Sequence, residues 1–179
     1  APPELRIATT SFHIANGLEQ QIEQYLSDFP KTKLVIIDTF QKVRDSKSTG
    51  GKSGMYAGDY DDVTALKNIS DKYGIAVVVV HHVRKLKDVS DPFNEVSGST
   101  GITGAADTNF VLKRSRANET GTLLATGRDI AYQELTLKFD NRSHLWELVE
   151  RKDMEDIHRE EIPKFIFRLV DYISEIKEW

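Results

Sequence analysis

Two short apolar runs, each followed by polar side chains, constrain this chain more than any other feature. Leu34 to Ile37 form an unbroken run that Asp38 ends, and Ile75 to Val80 form a second run that leads into His81 and His82. Runs of this kind are typical of parallel strands that are buried on both faces. The sequence therefore predicts two buried parallel strands whose carboxyl ends carry ionisable groups.

The segment between the two runs has the spacing of a helix. Apolar residues recur at helical intervals from Asp59 to Tyr73, and Gly74 stands where a glycine commonly ends a helix. Strand, helix and strand in this order form a βαβ unit, whose crossover is nearly always right-handed. The sequence also predicts a short strand over 5–8, a helix over 17–29 and a loop over the residues 45–58, which are rich in Ser, Gly and Lys.

The second half of the chain has the pattern of β structure followed by a helix. Three or four β segments are predicted, among Thr108–Lys113, Thr122–Thr126, Glu134–Phe139 and His144–Val149. Asp140 to Ser143 has the composition of a hairpin turn, and an apolar stripe over 162–176 predicts a final helix. We therefore predict an α/β fold in which the sheet is mainly parallel and ends in a C-terminal antiparallel hairpin.

Composition limits the class of protein. At 179 residues the chain fits one domain with a short appendage, and we predict a core over 1–150 and a C-terminal helical extension over 151–179. The sequence has no apolar run of the roughly 18 residues that span a membrane, no secretory signal and no cysteine, which favours a cytoplasmic protein. The net charge of -4 gives no global attraction to nucleic acid, so contact with DNA would require a local basic patch.

The carboxylate of Asp38 is the first candidate for chemistry. It leaves the carboxyl end of a predicted parallel strand, which is where ligands bind in open α/β sheets. In nucleotide hydrolases a carboxylate in this position holds Mg²⁺, which in turn bridges phosphate oxygens. The alternative is that Asp38 only caps a turn after the strand.

The two histidines after the second run are the next candidates. Neighbouring strand residues point to opposite faces, so His81 and His82 are poorly placed to hold one metal ion together. One of them can donate a hydrogen bond to a phosphate or a water and report the state of a nucleotide. The alternative is a histidine whose ring is satisfied by backbone groups at the strand end.

A glycine-rich segment and several basic residues are further candidates. The small residues of the segment 96–107 would let backbone amides approach phosphates of nucleotide or DNA, although a flexible connection has the same composition. Arg128 follows the predicted strand Thr122–Thr126, and an arginine from a neighbouring subunit can stabilise a transferred phosphoryl group. Lys113 and Arg114 are weaker candidates, and a solvated surface position is the alternative for all three.

The sequence contains no phosphate-binding loop of the form Gly-x4-Gly-Lys-Ser/Thr. Gly50-Gly51-Lys52-Ser53 resembles the end of this motif, but the pattern requires a glycine at position 46, where the chain has Ser46. The motif also requires a strand before it and a helix start after it, and this segment lies in a predicted polar linker.

Taken in order, these segments resemble the RecA-like ATPases of the plasmid RepA-helicase type, which occur in phage and plasmid replication modules. The resemblance covers roughly 33–149. It rests on seven stretches: Leu34 through Arg44, Ala76 through Lys85, Asp91-Pro92-Phe93, Val96 through Gly101, Gly104 through Thr108, Thr126 through Asp129 and Leu135 through Asp140. The resemblance implies a truncated RecA-like P-loop NTPase core.

The resemblance also implies roles for individual residues. Asp38, with Thr39 beside it, would be the Walker-B position that binds Mg²⁺ and ATP, and His81 or His82 would be the sensor of the γ-phosphate. Arg128 would be the arginine finger that acts across a subunit interface. The DNA-facing loop of a central channel would comprise Gly98, Ser99, Thr100, Gly101, Thr103 and Gly104. The implied partners are ATP, single-stranded DNA and further copies of the chain, with a hexamer as one form of the full-length protein.

One departure from this family limits the prediction. The phosphate-binding loop and the acidic residue that activates water precede the Walker-B strand in the family, and residues 1–33 contain neither. We therefore expect a fragment of an ATP-dependent DNA helicase or a replication or recombination ATPase, inactive as an isolated chain. If the chain were complete, it would be a degenerate relative without ATPase activity.

Two other functions are compatible with the residues. The first is a non-catalytic module that binds DNA or a protein partner through the basic residues and the glycine-rich segment. The second is a metal-dependent hydrolase that uses Asp38, a histidine, and Asp59, Asp61 and Asp62. The spacing argues against the hydrolase, because these last three residues open a predicted helix, where acidic side chains complement the helix dipole.

Overall fold

The computed structural model describes residues 4–44, 52–83, 91–96, 100–115, 118–159, 164–166 and 168. In chain order the helices are α1 (Leu18–Asp28), α2 (Phe40–Val43), α3 (Lys52–Tyr73) and α4 (Thr100–Ala105), and a 3-10 turn covers Pro92–Glu95. The strands are β1 (Leu34–Asp38), β2 (Ala76–Val80), β3 (Thr108–Arg114), β4 (Thr120–Gly127), β5 (Gln133–Asp140) and β6 (Leu145–Asp153). The chain forms two compact units, Ala1–Ala106 and Asp107–Trp179, called unit 1 and unit 2 below.

Unit 1 is built on the parallel pair β1 and β2. The strands pair in register from Leu34 beside Ala76 to Asp38 beside Val80, which confirms the predicted parallel pairing. One face of the pair packs on a core to which all four helices contribute, because alternate strand residues point inwards. The most buried members of this core are Phe40 of α2 and Leu66 of α3, which are 0% and 2% exposed.

Among the described residues, the other face of this sheet is exposed to solvent, so the prediction of strands buried on both faces is wrong. Ile36 is 58% exposed and Val78 is 43% exposed, whereas their sequence neighbours Val35, Ile37 and Val79 contact the core. The described helices of unit 1 cover one face only. An apolar run indicates that both faces are suited to burial, and it does not tell whether a second layer of structure is there to cover them.

Helix α3 begins earlier than the sequence predicts. Residues 52–58 are helical rather than a loop, while 45–51 lie outside the described residues. Tyr56 and Tyr60 stack one turn apart near the beginning of the helix and are exposed. Because Tyr56, Ala57 and Tyr60 are exposed, this part of the helix lacks the apolar stripe that reveals the rest of α3. Gly74 ends the helix with a φ of 60°, a left-handed conformation that suits glycine, as predicted.

Unit 2 is an antiparallel sheet with the strand order β3-β4-β5-β6. The hairpin turn between β5 and β6 is confirmed: the Asp140 carboxylate accepts hydrogen bonds from the Arg142 amide (2.9 Å) and from the amide (3.2 Å) and hydroxyl (2.6 Å) of Ser143. His144 completes the turn with a φ of 57°. Short turns of this kind connect neighbouring antiparallel strands without a crossover helix.

The order of a parallel part followed by an antiparallel part is confirmed, but the balance differs from the prediction. The described strands comprise two parallel and four antiparallel ones, so the sheet structure is not mainly parallel. The segment predicted as a strand at 5–8 has no regular structure.

The boundary predicted at residue 150 stays a prediction. Residues 154–159 and 164–166 are helical, and most of the predicted helix 162–176 lies outside the described residues. Within the described ranges, every helix falls short of the length and apolarity that crossing a bilayer demands.

Candidate functional site

The carboxyl ends of β1 and β2 form the rim at which the predicted site residues meet. Asp38 is the last residue of β1 and pairs with Val80, the last residue of β2, so His81 follows directly beside the carboxylate-bearing strand end. Asp38 is exposed and Thr39 is half-buried, and the peptide bond between them is cis. The parallel register therefore brings Asp38 and the two histidines to one edge of the sheet, as predicted.

The two faces of the sheet separate these residues. Asp38 continues the exposed side of β1, on which Ile36 also lies. Burial alternates along β2 and continues beyond it, with His81 half-buried and His82 exposed. Because strand residues alternate between faces, His82 falls on the exposed side with Asp38 while His81 turns towards the core side.

His81 packs against Phe40, a core residue that follows Asp38 closely in sequence. Its ring meets the ring of Phe40 edge-on, with a centroid separation of 5.6 Å and an interplanar angle of 87°. Phe40 is fully buried and is separated from Asp38 by Thr39 alone. Edge-to-face pairs of this kind are a favourable arrangement of aromatic rings. The two strand ends are therefore connected by a side-chain contact as well as by the backbone ladder.

Sequence reasoning missed an ionic network next to this contact. The Arg44 guanidinium stands over the Phe40 ring, 5.1 Å from its centroid. It also forms ion pairs with the carboxylates of Asp59 and Asp62 on α3, the latter with Nε 2.8 Å from Oδ2. The spacing of the two aspartates, three residues apart and so on one helix face, was the only signal for it in the sequence.

The prediction that Asp59, Asp61 and Asp62 open a helix and complement its dipole is wrong. Helix α3 begins at Lys52, so Asp59, Asp61 and Asp62 lie in its middle rather than in its first turn. Asp59 is fully buried and pairs with Arg44. In the part of the chain that the structure describes, no three acidic or histidine side chains form a metal-binding cluster. The geometry therefore gives the metal-dependent hydrolase no support.

The glycine-rich segment is helical where it is described. Gly98 and Ser99 lie outside the described residues, whereas Thr100 to Gly104 belong to α4 rather than to a loop. Gly101 is buried in this helix. Thr100 and Gly104 are exposed, Thr103 is half-buried with its hydroxyl donating to the Thr100 carbonyl at 3.2 Å, and no atom would obstruct a Cβ at Gly104. Small residues here let α4 pack closely on α3, which explains a helix despite low intrinsic propensity.

Arg128 is held within unit 2. Its guanidinium lies 3.2 Å from the Asp107 carboxylate, and its backbone N–H donates to the Asp107 carbonyl at 2.9 Å. The arginine side chain is 55% exposed. Arg114 lies over the rings of Phe139 and Trp146, at 4.9 and 5.3 Å from their centroids. Arg128 therefore has a fixed backbone and an accessible side chain, while the Arg114 guanidinium contacts aromatic rings.

Comparison with protein families gives a match to part of the chain. A family model described as AAA domain matches residues 5–88, a segment that contains both strands of the rim together with Asp38, His81 and His82. No curated protein matches the chain. The match indicates an ATPase-type domain, with nucleotide as the expected ligand, over the residues that form the rim.

Proposed function

We propose that this chain carries the Walker-B half of a RecA-like ATP-hydrolysing core and belongs to an ATP-dependent DNA helicase, or a related replication or recombination ATPase, of the RepA type. The observation that carries the proposal is the in-register parallel pairing of β1 and β2, which ends with Asp38 beside Val80 and leads directly into His81. The AAA domain match over residues 5–88 supports a nucleotide-related role for the same segment.

The residues at the rim fit Mg²⁺ in the presence of a nucleotide. Asp38 offers an exposed carboxylate and Thr39 a hydroxyl beside it. Magnesium is commonly bound by one or two carboxylates, phosphate oxygens and waters rather than by a cage of protein ligands. When bound, the ion would neutralise negative charge on the nucleotide phosphates. In this proposal the carboxylate of Asp38 would hold the ion at the rim.

The two histidines have different parts in this proposal. His82 is exposed on the side of the sheet that Asp38 occupies, so it can contact a ligand that Asp38 also contacts. His81 packs on Phe40, so it can pass a change at the rim to the core. Either ring can donate a hydrogen bond to a phosphate oxygen or a water, which is the role of the sensor.

The remaining predicted residues concern partners of the assembled protein. Thr100 and Gly104 are the exposed members of the segment proposed to face single-stranded DNA. The ion pair of Arg128 with Asp107 is exposed, and exposed pairs are weak. Arg128 can therefore exchange Asp107 for a phosphate at little cost, as an arginine finger in a homo-oligomer, such as a hexamer, must do.

An Asp38→Asn variant tests the catalytic assignment. In a version of the protein that also carries a phosphate-binding loop, we expect this change to abolish DNA-stimulated ATP hydrolysis, because the amide does not replace the charge that holds Mg²⁺. Asp61→Asn, at an exposed position of α3, is the matched control and should leave turnover unchanged. Turnover of Asp38→Asn near the wild-type rate would refute the assignment.

Titration of this chain with Mg²⁺ and ATP tests how much nucleotide binding depends on a phosphate-binding loop. Residues 1–179 contain no Gly-x4-Gly-Lys-Ser/Thr motif, so we expect weak binding of Mg²⁺ and ATP and no turnover by the chain alone. Tight nucleotide binding would contradict this expectation. Salt-sensitive binding of single-stranded DNA that nucleotide does not alter would instead favour the non-catalytic DNA-binding module.

A further inference from the structure

A continuous set of contacts leads from the rim to helix α3. The ring centroids of His81 and Phe40 lie 5.6 Å apart. The guanidinium of Arg44 lies 5.1 Å from the centroid of the same Phe40 ring. Arg44 in turn pairs with Asp59 and Asp62 of α3. Each link is a direct side-chain contact, and all five residues lie in unit 1.

The ionic part of this set is largely removed from solvent. The Asp59 side chain is 0% exposed, the Arg44 side chain 13% and the Asp62 side chain 23%. A buried ion pair adds little stability over apolar residues of the same volume, because desolvation offsets the attraction. A guanidinium does, however, impose a defined geometry, because its rigid and planar set of N–H donors fixes the positions of the groups that it binds.

We infer that Arg44 is a positioning residue, which fixes Phe40 against His81 and thereby couples α3 to the rim that carries Asp38. Only the meaning of the rim as a nucleotide site rests on the proposed function; the coupling itself rests on the contacts. A displacement of α3 would move Asp59 and Asp62, and through Arg44 it would alter the Phe40–His81 contact. In the opposite direction, a ligand at the rim would act on α3 through the same side chains.

The experiment is an NMR comparison of the complete chain, labelled in its aromatic rings and backbone amides. The Phe40 ring, which is nearly perpendicular to the His81 ring at a centroid separation of 5.6 Å, imposes a ring-current shift on the His81 ring protons, and this shift depends on the relative orientation of the two rings. We expect Arg44→Met to change the His81 ring signals and the Asp38 and Thr39 amides. Arg44→Lys should have a smaller effect, because a single ammonium replaces the fork that engages both carboxylates.

The matched control is Lys72→Met, which removes another ion pair of α3. Lys72 lies 3.1 Å from Glu19, and both side chains are about half exposed. This variant should leave the His81 ring signals at their wild-type positions. A purely stabilising role for Arg44 would lower the folded fraction and leave the ring-current shift of the folded molecules unchanged, and that outcome would overturn the inference.

A second variant tests the coupling between α3 and the rim if Arg44→Met does not fold. Asp62→Asn removes only the more exposed of the two carboxylate partners, and we expect it to move the same His81 and Asp38 signals by a smaller amount. Unchanged signals in folded Asp62→Asn and Arg44→Lys would refute the coupling. These measurements need no nucleotide, so the coupling and the nucleotide site can fail independently of each other.

Discussion

The apolar strand residues of unit 1 and unit 2 reach different degrees of burial. In unit 1 a parallel pair of strands is joined through helices, and those helices bring Phe40, Val63, Leu66 and Ile69 onto one face of the sheet. In unit 2 short turns join antiparallel strands, and Phe110 of β3 and Leu148 of β6 are each 60% exposed. A parallel connection requires a crossover that also covers the sheet, whereas an antiparallel connection does not.

This difference indicates that the two units are stabilised by different kinds of interaction. Unit 1 depends on side chains that are distant in sequence and meet in a core, together with the ion pairs of Arg44. Unit 2 depends on hydrogen bonds between successive strands and on turn residues such as Asp140. Substitutions of core and ion-paired side chains in unit 1 should therefore have larger effects than comparable ones in unit 2. Two predictions test this expectation directly, and two more concern a glycine and a turn at which unit 2 is the sensitive part.

The largest effect is expected for Phe40→Ala. Phe40 is fully buried, and truncation of a buried phenylalanine costs about 3–5 kcal/mol of unfolding free energy. Phe110→Ala in unit 2 is the matched control, with about 0.5 kcal/mol expected because the side chain is 60% exposed. Urea unfolding followed by helical circular dichroism measures the loss in unit 1, and the fluorescence of Trp146 in β6 measures the loss in unit 2. Equal losses in the two variants would contradict the comparison.

The next effect concerns the ion pairs of the two units. Asp59→Asn should lower the unfolding free energy of unit 1 by about 3 kcal/mol, because it leaves the largely buried Arg44 without its main counter-charge. Arg128→Ala in unit 2 breaks a pair whose side chains are 55% and 49% exposed, and it should cost about 1 kcal/mol or less. Chemical denaturation of both variants measures the two losses of unfolding free energy. A larger loss for Arg128→Ala than for Asp59→Asn would contradict the expected order.

A smaller effect is expected at two glycines, and here unit 2 should be the more sensitive. A Cβ at Gly127 would lie 2.6 Å from the Asp107 carbonyl oxygen, so Gly127→Ala should cost about 1–3 kcal/mol. Gly104 lies in α4 with open space around it, so Gly104→Ala should stabilise unit 1 by up to about 1 kcal/mol. Thermal unfolding distinguishes the opposite signs, and a shift of the same sign in both would disprove the steric explanation.

The smallest effect concerns acid stability of the β5–β6 turn. The Ser143 hydroxyl and the amides of Arg142 and Ser143 hold the pKa of Asp140 below its ordinary value of 3.8. The ionised form is favoured in the folded state, so its contribution is present above pH 3.8 and is lost as the pH falls through the lowered folded pKa. Asp140→Asn should remove this part of the acid dependence of unit 2.

Tryptophan fluorescence measures this acid dependence. Trp146 lies in β6 of unit 2, so its emission reports on the sheet of that unit. Asp61→Asn in unit 1 controls for the loss of one carboxylate elsewhere in the chain. An acid transition that is identical in wild type and Asp140→Asn would count against a role for the turn.

Local sequence determined the strands β1 to β6 and the rim. The apolar runs at 34–37 and 75–80, Gly74 as a helix end and the Asp140 turn were predictable because each depends on residues within a few positions of one another. The parallel pairing of β1 and β2 followed from the helix between them, and it brought Asp38 and the histidines to one edge as predicted. The roles assigned to these residues remain the proposal that the Asp38→Asn and titration experiments test.

Tertiary structure decided which surfaces were covered and which charges were paired. The sequence could not tell that Ile36 and Val78 would face solvent, since their apolar character is the same with or without a covering layer. Nor could it tell that Asp59 would meet Arg44, a contact between residues fifteen positions apart that depends on the earlier start of α3 and the way it packs against the segment after β1. Burial and ion pairing are properties of the space between elements, and only the packed fold defines that space.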